Sequence, residues 1–301
     1  MKKLYILLIA VFTINIANAQ WKQCDGPYND PVHTFAINGN NIFAGTYYGV
    51  YLSTNGGSSW TMLNTTGLYY PYIHSIVIKG NYIFLGSNGG GVYLSTNNGT
   101  SWTYVGLDNY YIINSLVISG NNVFAGTLRG VVLSTNNGTS WTQVNTGLND
   151  TSVLSLVVSG NNIYAGTRSG VYLSTNNGAN WTAVNNGLIE TNVNSLVISG
   201  NNIYAGTGSG VFVSGNNGAN WTALNTGLAD TNVYSLAISN DTIYAGTGNG
   251  VYLSTNGGSS WALFGLSHYD IIALTIYGNT ILAGTDDEGI LITSDNGANW
   301  S

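Results

Sequence analysis

The sequence predicts an all-β protein, a seven-bladed β-propeller of four-stranded antiparallel blades, and three observations carry that expectation. A repeated unit opens its first apolar run at Val32, Ile73, Ile113, Val153, Val193, Val233 and Ile271, seven copies in register. Each copy holds four short apolar or aromatic runs parted by Gly/Asn turns, with no helical period. Four strands in a repeat of about 40 residues is the pattern of a propeller blade.

Residues 1–19 read as a secretory signal peptide. Lys2 and Lys3 precede an apolar run from Leu4 to Val11, and Ala17-Asn18-Ala19 supplies a small-x-small cleavage triplet. That run is far shorter than the roughly 20 apolar residues a membrane helix needs, so no membrane span is expected. Residues 20–301 are then one secreted propeller domain. Trp21 in "WKQC" aligns with "WTML" and "WTAV", so residues 20–25 can supply the last strand of blade seven; two Trp at one repeat position, Trp21 and Trp300, count against this, and the alternative is that the chain is a fragment of a longer protein.

Within a blade the strands are labelled A to D. "SGNN" at 199–202 is a tight A–B hairpin, "GTGSG" turns B into C, and "STNNGANW" at 174–181 joins C to D. The A–B and C–D turns must share one face of the disc. The B–C and D–A loops lie on the other, where the copies differ most from one another.

The C–D motif has a structural rationale. Asn176 can bond backbone N–H groups two residues on, Gly178 can take the left-handed conformation, and Trp181 can cover the turn. These residues resemble the Asp box, or BNR repeat, with its pattern Ser/Thr-x-Asp-x-Gly-x-x-Trp. Asp survives in the copy from Thr293 to Trp300, and six copies carry Asn. The resemblance implies a propeller whose boxes lie away from the ligand site. It links the chain to secreted sialidase-like, xyloglucanase-like and photosystem II assembly factor-like propellers.

Composition narrows the function. Charged residues are 6% of the chain, against roughly 25% in ordinary globular proteins. Without the signal, Lys22, Lys79, Arg129 and Arg168 face twelve carboxylates, which argues against nucleic acid as a partner. Cys24 is alone, so no intramolecular disulfide or metal–thiolate cluster can form. No cofactor and no metal is expected.

Sialidases grip a substrate carboxylate with three arginines, and two are too few. The xyloglucan-cleaving type uses paired carboxylates. Candidates are Asp30, Asp108, Asp150, Glu190, Asp230, Asp270, Asp286, Asp287 and Glu288, but Asp150, Glu190 and Asp230 recur before strand A and read as loop chemistry. Hydrolysis is therefore the alternative, and no catalytic residue is assigned. The assembly-factor type binds a protein through an arginine-rich patch, which this chain lacks.

Aromatic residues point more directly. Tyr47, Tyr48, Tyr69, Tyr70, Tyr72, Tyr110 and Tyr111 crowd the variable-face loops of blades one to three, with Tyr28, His268 and Tyr269 from the neighbouring side. His33 and His74 share one position at the head of strand A, near the channel mouth. The ligand-binding candidates are these seven tyrosines and two histidines. The expected protein is a secreted, monomeric, non-catalytic propeller that binds an extracellular glycan or protein through its Tyr-rich face.

Overall fold

A computed structural model describes residues 26–107 and 112–301. The signal segment, the strand expected from residues 20–25, and Trp21 and Cys24 lie outside the described residues. Those described form strands and turns without a helix, arranged as seven antiparallel sheets in simple up-and-down order. In blade one, strand A is Val32–Asn38, B is Asn41–Thr46, C is Val50–Ser53 and D is Thr61–Met62. Every later strand A opens at the residue the repeat predicts.

Blade seven has strands Ile271–Tyr277, Thr280–Thr285 and Ile290–Thr293. Ser301 exchanges backbone hydrogen bonds of 2.9 and 2.8 Å with Ile292. That is the place where Thr61 pairs with Leu52 in blade one.

Turn chemistry explains the composition. The first central residue of each A–B turn has φ between 53° and 59°, so it is Gly in six blades and Asn240 in blade six. In the C–D turn of blade four, Ser174 Oγ donates to Asn176 Oδ1 at 3.0 Å and accepts the Gly178 N–H at 2.8 Å. Asn176 Oδ1 instead takes the Asn180 N–H, at 2.9 Å. The Asn side chain therefore reaches four residues on and not two, because the serine hydroxyl has taken the nearer donor.

Packing is between blades. Phe124 and Val131 of blade three share one buried cluster with Val153, Ile163, Tyr172 and Trp181 of blade four. The approach is close enough that a Cβ at Gly166 would sit 2.7 Å from Val193 Cγ1 of the next blade. Ser75, Ser115 and Ser155 accept the N–H groups of Leu116, Leu156 and Leu196 across successive seams, at 2.8, 3.0 and 3.0 Å. Each box Trp adds to this: the Trp181 indole N–H donates to Val144 O of blade three at 2.7 Å. The ring closes where Val32, Ile42 and Ala44 of blade one meet Leu282 and Ile290 of blade seven.

Candidate functional site

The seven A strands line the central channel, and a β-bulge shapes its mouth. In every blade the register skips the second residue of strand A: His33, His74, Asn114, Leu154, Asn194, Tyr234 and Ile272 have no partner in strand B. A bulge re-aims the unpaired side chain, and here these residues join the next ring of small hydroxyls around a chamber of about 370 Å³. Among the described residues no charged side chain lines it. Towards the opposite face the channel turns aliphatic, with a cavity of about 580 Å³ lined by residues such as Val157, Ile198 and Ile276.

His33 and His74 stack in parallel, with ring centroids 4.8 Å apart and planes 5° from coincidence. Tyr72 packs on both, at 4.9 and 4.5 Å. Tyr47 packs on Tyr72 at 4.6 Å, and Tyr48 meets Tyr47 edge-on at 5.0 Å. Among the described residues, the Nε2 atoms of both histidines are buried without a hydrogen-bond partner. Burial pulls both imidazoles down to about 4, aided for His74 by His33, so both are neutral near pH 7.

Asp30 lies behind this cluster, 2% exposed. Its Oδ1 accepts the Tyr47 N–H at 3.1 Å, and its Oδ2 has no hydrogen-bond partner among the described residues. Burial raises its pKa, against the lowering pull of Thr46 and the loop N–H groups of Tyr47 and Tyr48.

The structure thus gathers His33, Tyr47, Tyr48, Tyr72 and His74 into one run of touching rings, from exposed Tyr48 to the chamber. Tyr69 and Tyr70 form a separate exposed pair, with Tyr70 set against Gly90 in the B–C loop of blade two. Tyr110, Tyr111 and Asp108 lie outside the described residues. Tyr269 is partly buried against the core between blades six and seven. Sequence reasoning passed over Ile189, 81% exposed, and Leu128, 37% exposed. Their signal was present as lone aliphatic letters in the loops "GLIET" and "GTLRG".

An acidic sector adjoins the rings. Asp286 helps raise the Tyr72 pKa after burial, the larger cause. Burial, then Asp270, Asp230 and Asp286, raise that of Tyr234, whose hydroxyl accepts from Asn232 Nδ2 at 2.6 Å. Asp230 Oδ2 and Asp270 Oδ1 converge on Gly248, 3.3 and 3.4 Å from where a Cβ would stand. Asp150 and Asp230 accept the N–H two residues on, at 2.9 and 3.0 Å, and Glu190 accepts those of Thr191 and Asn192. These bonds are the loop chemistry expected of that recurring position. Among the described residues, no three or more of His, Cys, Asp and Glu are placed to hold a metal ion.

With seven blades and this loop face in view, residues 115–225 and 203–301 match the family model described as the DUF6242 beta propeller domain. The chain belongs to that family. No curated protein matches this sequence. Among solved structures, an ancestral GH74 enzyme is 20% identical with a TM-score of 0.74, over 92% of this chain and 46% of that one. The extracellular domain of BT4673 from B. thetaiotaomicron has the same identity and score, over 90% and 40%. YCF48 bound to a D1 peptide is 15% identical with a TM-score of 0.72, over 89% and 94%. This DUF6242 chain spans less than half of each of the first two. At such identities the likeness is one of fold. Among the described residues no helix is long and apolar enough to cross a membrane.

Proposed function

We propose that this DUF6242 propeller is an exported, non-catalytic binding module that holds an extracellular carbohydrate or protein on its Tyr-rich loop face. The observation that carries this is the run of ring contacts from exposed Tyr48 through Tyr47 and Tyr72 to the histidine pair. Large amphipathic rings at a concave mouth are what binding anchors are made of. The extracellular placement of BT4673's domain and the peptide bound to YCF48 support export and binding.

The test compares wild type with a Tyr47→Ala/Tyr48→Ala/Tyr70→Ala variant, by glycan array and by pull-down from the native surroundings. Binding should weaken by about 10- to 100-fold, the scale of lost aromatic anchors. The melting temperature should hold, and Thr151→Ala in a blade-four loop should change nothing. Identical capture by wild type and triple variant would leave the face without this role.

Hydrolysis has one observation in its favour, the convergence of Asp230 and Asp270 beside Gly248 and Tyr234. Against it, Asp230 also closes its own loop through Asn232. Incubation with plant and mucin glycans should release no sugar; turnover abolished by Asp270→Asn would make the protein an enzyme.

A further inference from the structure

We propose that the channel mouth is the anchoring subsite of this face and that it takes one neutral sugar unit, hydrogen-bonded by His33 and His74 and stacked on Tyr72. The inference rests on the binding function above and adds the ligand's chemical class and its point of entry.

Two buried imidazole nitrogens side by side, neither with a partner, are costly to keep. The cost is recovered when a ligand brings hydroxyls, each able to donate or accept. A hydroxyl suits either tautomer of a neutral imidazole, so the pair needs no fixed proton arrangement to bind one. Tyr72 packs on both rings and is only partly buried, and its neighbour Tyr47 is exposed. Rotation of the Tyr72 side chain is the movement that opens the nitrogens and offers its ring as a stacking wall.

The chamber selects for neutrality. Its lining has amides at Asn114 and Asn194, hydroxyls at Thr34 and Ser195, and a phenol at Tyr234, and no ionised group among the described residues. Asp286, close enough to raise the Tyr72 pKa, repels an anion at the rim. Asn114 and Asn194 already donate to Val153 O and Val233 O across the seams, but an aliphatic ligand would leave the two histidine nitrogens unpaired and is better served by the far cavity. A peptide side chain offers one or two polar atoms, whereas a pyranose carries hydroxyls around its whole edge. The volume, about 370 Å³, falls at the small end of the roughly 300–1,000 Å³ of small-molecule sites.

The test is calorimetric titration of the mature protein with cello-, xylo- and mannotetraose and with acidic oligosaccharides of similar length. Four proteins are compared: wild type, His33→Phe/His74→Phe, His74→Gln and Tyr48→Ala. Wild type should bind a neutral tetraose and no acidic one. The double Phe variant, which keeps the stack and removes the nitrogens, should bind at least about 10-fold more weakly, the scale of one lost hydrogen-bonded anchor. His74→Gln, which restores an amide, should retain more affinity than the double variant; it also serves if that variant folds poorly. Wild-type affinity should persist down to the pH where the imidazoles take protons, about 4. Unchanged binding by the double Phe variant overturns the subsite and leaves the Tyr-face function standing. Capture of a protein lost in Tyr48→Ala, with no neutral sugar bound, overturns the sugar and keeps the face. Capture indifferent to both the Tyr and the His substitutions overturns both.

Discussion

Protonating His33 or His74 would place a charge inside a stack of rings whose Nε2 atoms are buried without a partner among the described residues. The folded imidazoles resist this down to about 4, while the unfolded chain takes protons near 6.5. Stability should therefore be flat above the unfolded value and fall as pH drops from 6.5 towards 4, by about 3 kcal/mol per imidazole. Asp30 works oppositely: its raised pKa makes the folded state take a proton first, which recovers stability in acid. Urea titrations across this range should show the fall in wild type and its loss in His33→Phe/His74→Phe. At the box, Asp295 Oδ1 accepts the Asn299 N–H at 2.9 Å just as Asn176 Oδ1 accepts that of Asn180. Asn176→Asp should thus fold normally at neutral pH, and its carboxyl, monitored by NMR, should titrate below the usual range, as at Asp295, where the Asn299 side-chain amide, then the Asn299 N–H and the Thr293 hydroxyl, hold the carboxylate low.

At the scale of one turn, Trp181 joins two blades through its buried ring and its bond to Val144 O. Trp181→Ala should cost about 3–5 kcal/mol, the range for deleting a buried aromatic. The loss of exchange protection should centre on blades three and four, since both contribute to that cluster. Unaltered melting would show that the box is no scaffold. The elements themselves were legible: strand A opens at Ile73 and at Val233 as the repeat demands, because apolar alternation and Gly/Asn turns are local signals. The bulge at His33 was not, since one skipped residue leaves the letter pattern intact. Nor was the bond from Leu116 N to Ser75 Oγ, which joins residues 41 apart in sequence. The site was legible as composition only. Tyr47, Tyr48 and Tyr69 look alike in the sequence, yet loop geometry, which carries no period, puts the first two in the ring cluster and the third outside it.

For the whole ring, the seams are not equal. Trp102, Trp141, Trp181, Trp221 and Trp261 each donate an indole N–H to the preceding blade, at 2.6 to 2.9 Å. Trp60 and Trp300, the boxes of blades one and seven, have buried indole nitrogens without a partner among the described residues. The cluster between blades seven and one holds five buried residues among those described, whereas the one between blades three and four holds nine. Trp60 packs on that cluster and Trp300 sits in the one between blades six and seven, so one unpaired donor falls at each of these two seams. With the smaller buried cluster as well, the seam between seven and one is the weakest among the described residues, and a ring of repeats opens where its interface energy is least. Native-state amide exchange should therefore be fastest, among strand-B amides, at Phe43, Ala44 and Leu282, and slowest at Tyr164 and Ala165. Filling the seam should reverse that order: Ala44→Val adds apolar volume at a fully buried position facing Leu282 and Ile290. If it packs, it slows exchange in blades one and seven while leaving blade four unchanged; if it overpacks, it speeds exchange in the same two blades. Uniform protection around the wild-type ring, or a response in blade four, would mean that the seven seams act as one cooperative unit and that the unpaired tryptophans carry no weight in opening it.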